Sequence, residues 1–166
     1  MGRAAAFLRR AGAYAIDYAV IAVYALALAG VTLAVTGPDP DLSNAAGYGL
    51  ALATLTAPVV LVFSILESMF GASPGKALTG LRVMRGKAKP QFSRALARNG
   101  LKFLPWEIAH IGIWLTPGQP FVDPPGLVSL VLMHAAMAAV LLQAGLIAIF
   151  RAGVHDWATG LRVRAR

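Results

Sequence analysis

The chain has 166 residues, of which 58% are hydrophobic and 13% charged, with mean hydropathy +0.67. A charged share of roughly 25% is usual for a soluble domain, so too little polar surface exists here to clothe a water-soluble globule. The net charge of +8 would make nucleic acid a candidate partner in a soluble protein, but no stacking aromatics accompany the basic residues, and no nucleic acid is expected. There is no cysteine, which excludes disulfides and thiolate metal sites.

In chain order, the first apolar stretch covers about residues 11–35, long enough to cross a hydrocarbon core of roughly 30 Å. Asp17 interrupts it, which argues against a cleaved secretory signal. Gly37-Pro38-Asp39-Pro40 breaks the helix as an outer loop, and Ser43-Asn44 caps a second span over about 45–69 that contains Pro58. Gly71 to Gly75 end it. A basic segment follows, with a short turn or strand at Leu78, Leu81 and Val83. Phe92 to Arg98 then read as an amphipathic helix at the membrane interface. The third span, about 100–115, is short and carries Lys102, Pro105, Glu107 and His110, whereas the fourth, about 127–150, is interrupted only by His134 and Gln143.

All 15 Lys and Arg residues lie in three blocks, Arg3 to Arg10, Lys76 to Lys102 and Arg151 to Arg166. The connections around Asp39 and Asp123 carry none. That asymmetry is the positive-inside pattern, and it places both termini and the middle loop in the cytoplasm, against anionic lipid headgroups. The expected fold is all-α: a single domain over 1–166, a bundle of four transmembrane helices.

An internal repeat organises this bundle. Thr79-Gly80-Leu81-Arg82-Val83 recurs as Thr159-Gly160-Leu161-Arg162-Val163, each copy closing a unit of two apolar stretches. The chain reads as two related hairpins in parallel, with Gly80, Arg82, Gly160 and Arg162 forming the cytoplasmic hinges. The repeat sets Asp17 against Glu107, and Lys76 against Asp156. A reciprocal Lys76–Asp156 contact between the hinges follows from it as an expectation.

A carboxylate in a membrane span costs roughly 2.5–3.5 kcal/mol on insertion scales, so Asp17 must face the bundle interior or a cation. Arg10, seven residues earlier, lies on the same helix face. Asp17, Glu67 and Glu107 come from three spans. They either converge on an ion or proton path, or neutralise Arg82, Arg98, Lys102 and Arg151; both readings stand on the sequence. Glu107 and His110 share the Glu-x-x-His spacing of di-iron bundles, but the second pair is missing, and neither a metal nor another cofactor is expected. Ser64, Ser68 and Ser129 lack a glycine-rich elbow, and no enzyme is expected.

Arg10-Ala11-Gly12-Ala13-Tyr14-Ala15-Ile16-Asp17, Gly75-Lys76-Ala77-Leu78-Thr79-Gly80-Leu81-Arg82-Val83, and His155-Asp156 with Gly160 and Val163 resemble the ordered motifs of the RDD family of bacterial membrane proteins. The resemblance maps the family's arginine and two aspartates onto Arg10 (or its neighbour Arg9), Asp17 and Asp156. It implies the bacterial inner membrane, and a transport-related role in cation/proton exchange. The alternative is a non-catalytic accessory or assembly subunit of a larger membrane complex. So small a bundle has little room for a hydrated path, so transport implies a homo-oligomer or a larger membrane-protein partner.

Overall fold

The computed structural model describes residues 3–37 and 42–165, so most of the expected outer loop, with Asp39 and Asp41, lies outside the described residues. The fold is mainly helical. Helix α1 runs over Arg3–Thr36, and a second long unit is built from α2 (Asn44–Ala51), a π-helical turn (Leu52–Thr56) and α3 (Ala57–Phe70). Ser43 caps α2 by accepting from the Ala46 amide at 3.3 Å. The π turn precedes Pro58, whose missing N–H leaves the Thr54 carbonyl without its helical donor, and the Tyr24 hydroxyl from α1 donates to that carbonyl.

Helix α3 stops at Gly71, which takes a left-handed φ of 72°. The short helix α4 (Pro74–Leu78) folds back against α1 and leads through Gly80 into strand β1 (Leu81–Met84). The second half repeats this order of elements. Helix α6 (Leu127–Phe150) is followed by the short helix α7 (Val154–Thr159), Gly160 and strand β2 (Arg162–Ala165).

The strands pair antiparallel, with Val83 opposite Val163 and Arg82 opposite Arg164. The two copies of the repeated motif therefore hydrogen-bond to each other. This ribbon is a correction to the all-α expectation. Gly80 (φ 67°) and Gly160 (φ 66°) occupy the left-handed region that the turn into each strand requires. Leu81, Val83 and Leu161 are buried, whereas Arg162 points outward.

Helix α5 (Phe92–Trp114) is continuous, so the expected interfacial helix and the third apolar stretch form one element. Its polar stripe turns inward: Arg98, Asn99 and Lys102 are buried, and Arg94 reaches the Thr159 carbonyl at 3.0 Å. Buried partners for those cations, instead of headgroups, decide that orientation. Among the described residues, three stretches are long and apolar enough to cross a membrane: Ala4–Thr36, Asn44–Leu78 and Leu127–Phe150. Ile21, Val59, Phe63 and Phe103 make a buried apolar layer where α1, α3 and α5 meet.

Candidate functional site

Asp17 is 1% exposed and held by the segment that enters α4. Its Oδ2 accepts from the Ser73 hydroxyl at 2.7 Å, and its Oδ1 accepts from the Gly75 amide at 2.8 Å. Gly75 is required there, because a Cβ would overlap the Ala13 carbonyl oxygen of α1. Lys76, next in α4, places its ammonium 3.8 Å from Asp17 and donates to Glu67 and Ser73, each at 3.0 Å. The Lys102 ammonium approaches Asp17 to 3.9 Å and sits over the Tyr14 and Phe103 rings, 4.9 Å from each centroid.

Arg98, fully buried, forks between two carboxylates. Its Nη1 donates to both oxygens of Glu67 at 3.0 and 3.1 Å, and its Nε donates to Asp156 at 2.8 Å. Asn99 adds a donor to Glu67 at 3.2 Å. Asp156 also caps α7, accepting from the Gly153 amide at 3.2 Å. Burial alone would raise the pKa of Asp156, but the Arg98 charge outweighs it and holds the carboxyl below its ordinary value of 3.8.

His155 bonds Gln143 of α6 through Nδ1 at 2.8 Å. Burial, and then the charge of Arg98, push its pKa down to about 3. The unfolded chain protonates this imidazole near 6.5 while the folded chain keeps it neutral, so the unfolded state binds more protons throughout that window. Stability is full above pH 6.5 and falls as pH drops towards 3. Acidification from pH 7 to 4.5 is expected to lower the thermal midpoint, and His155→Gln to flatten that slope. An unchanged slope in the variant refutes this role for His155.

The structure brings Asp17 and Glu67 together through Lys76, and joins Asp156 to Glu67 through Arg98. Glu107 stands apart. It accepts from Thr56 and, at 3.2 Å, from Tyr48, and lies 3.4 Å from His110. Along the unit of the π turn and α3, Thr56 marks the Glu107 level, Val59 and Phe63 the apolar layer, and Glu67 the ion network. The three acids thus lie on two polar levels separated by apolar side chains, and do not meet in one cavity. Among the described residues, no three His, Asp or Glu side chains converge as metal ligands.

Two further expectations are corrected. Lys76 and Asp156 make no direct ion pair, because Lys76 folds back onto Glu67 and Arg98 occupies Asp156. Arg10 does not pair with Asp17 either; its guanidinium donates to the backbone carbonyls of Arg151 and, at 2.8 Å, of Val163, tying α1 to the β ribbon. Sequence reasoning missed Ser73, Gly75 and Asn99. Gly75 within the Gly-Lys segment that leads into the first copy of the repeat was the available signal, while Asn99 beside Arg98 in a helix carried none.

A family model described as the RDD family matches residues 4–160. No curated protein and no solved structure matches the chain. The matched stretch holds Arg10, Asp17 and Asp156, all three built into the buried polar end of the molecule, and the chain belongs to the RDD family.

Proposed function

We propose that this chain is a multi-pass protein of the bacterial inner membrane, with four membrane helices in two related hairpins and both termini in the cytoplasm. Its role is cation/proton exchange, carried out as a homo-oligomer. The observation that carries this reading is the division of the buried network into two unlike parts. Glu67 and Asp156 are held by Arg98, which stays charged at any working pH and makes that part structural. Asp17 has no arginine partner; it faces Lys76, which it shares with Glu67, at 3.8 Å and Lys102 at 3.9 Å.

Four cations, Arg10, Lys76, Arg98 and Lys102, are buried with three carboxylates, Asp17, Glu67 and Asp156. A buried excess charge is costly, and in this reading the proton is carried at the Asp17–lysine end. Glu107 with His110 forms a second polar station beyond the apolar layer. The space enclosed beside Asp17 is about 10 Å³, roughly one water, so an open path needs movement or a second copy.

The test is flux in proteoliposomes carrying an internal pH dye and an imposed sodium or potassium gradient. Asp17→Asn is expected to abolish cation-dependent proton movement while the protein still inserts. Normal flux from that variant removes the proposal. The Arg98 clasp also supports the accessory-subunit reading, since it orders the bundle without any transported ion. A stoichiometric larger partner retained through purification in mild detergent favours that reading, and a homogeneous homo-oligomer favours exchange.

A further inference from the structure

Helix α6 packs chiefly on α5, and α1 chiefly on α4, which leaves α1 and α6 splayed over a crevice of about 470 Å³ floored by α5. On α1 it extends from Phe7 to Tyr18, about 16 Å at 1.5 Å per residue. Its walls are apolar and aromatic, with Tyr14, Trp106, Met137 and Ala144 among them, and it opens between two helices that are each apolar enough to cross a membrane.

The polar groups that line it share one character. Arg10 and Lys102 are its charged residues, Gln143 its amide, and among the described residues no carboxylate lines it. Among the described residues Arg10 has no carboxylate within 4 Å, only the two backbone carbonyls. Lys102 is 7% exposed and, among the described residues, donates no hydrogen bond; its ammonium stands 3.9 Å from Asp17. Gln143 spends its carbonyl oxygen on His155, leaving its amide hydrogens for the crevice. Two cations and an amide donor at the basic end of an apolar slot complement an anion attached to a hydrocarbon chain.

We propose that this crevice is a discrete binding site for an anionic glycerophospholipid. The phosphate sits against Arg10, Lys102 and Gln143, and one acyl chain lies along α1 and α6 towards Met133. A zwitterionic headgroup brings its own cation against Arg10 and Lys102, which an anionic one does not, and free phosphate would leave the apolar walls empty. The site does not rest on the exchange reading, and its test measures lipid, not flux.

The full chain, delipidated in a neutral detergent, is titrated with phosphatidylglycerol, phosphatidylcholine or inorganic phosphate and followed by native mass spectrometry. Phosphatidylglycerol is expected to bind at one site at least tenfold more tightly than phosphatidylcholine, with no competition from millimolar phosphate. Ala144→Trp, at an exposed position of α6, fills the slot and is expected to weaken phosphatidylglycerol at least tenfold without moving the lipid-free thermal midpoint. Lys102→Gln is expected to erase the preference for the anionic lipid. Equal binding of the two lipids, competition by phosphate alone, or full affinity in Ala144→Trp overturns the proposal.

Discussion

Arg98→Met is expected to destabilise the protein by about 3–5 kcal/mol, the cost of removing one partner from a buried ion cluster. The guanidinium is fully buried and joins Glu67 of α3 to Asp156 of α7, so its loss weakens the hold on one carboxylate and strands the other. Glu67 keeps Lys76 and Asn99, and Asp156 keeps only the Gly153 amide among these contacts. Arg98→Lys recovers less than half of the loss, because one ammonium cannot reproduce the fork. Adding Glu67→Gln and Asp156→Asn to Arg98→Met is expected to recover part of it, since neutral amides are far cheaper to bury than unpaired carboxylates. Denaturant unfolding in micelles measures all of these, and a loss below about 1 kcal/mol for Arg98→Met refutes the clasp.

Gly75→Ala should destabilise in spite of its helical setting. Alanine in a helix interior gains roughly 0.5–1 kcal/mol over glycine. Against that, the new methyl group meets the Ala13 carbonyl and comes to 3.0 Å of Asp17 Oδ1, so α4 must back away from α1 and loosen the Gly75 amide bond to Asp17. Overpacking of this kind costs about 1–3 kcal/mol, and the lost hydrogen bond to a carboxylate adds to it. The control is Gly12→Ala on α1, where the nearest atom to the added Cβ is the Thr79 methyl at 3.9 Å, an ordinary contact. Equal stability of the two variants would show that α1 and α4 do not approach as closely as described.

Much of the fold was legible without coordinates. Runs of apolar residues and their interruptions located the long helices, because hydrophobic length and helix-breaking chemistry act locally. The Pro58 unit, the Ser43 cap and the glycine at each hinge follow from neighbouring residues and are present, and the short turn or strand read at Leu78, Leu81 and Val83 resolves as a strand over Leu81–Met84. The Phe92–Arg98 stretch was legible only in part. An amphipathic pattern says that a polar stripe exists, and leaves open whether it meets headgroups or, as for Arg98, carboxylates inside the protein.

The site divides along the same line. Sequence alone determined that this is a family member rich in apolar helices, and that Arg10, Asp17 and Asp156 were the residues to watch, since a charge placed among apolar residues is visible wherever it points. Only the tertiary structure decided their partners. Asp17 faces Ser73, Gly75 and two lysines; Asp156 faces Arg98; Arg10 holds backbone carbonyls; Glu107 stands apart beyond Phe63 and Phe103. Ion pairing is settled by distances of a few ångströms between residues dozens of positions apart, and these depend on how α4 and α7 fold back under the long helices. The repeated Thr-Gly-Leu-Arg-Val motif belongs to both accounts: its recurrence is written in the sequence, but that its two copies pair with each other as one ribbon is a fact of the packed chain.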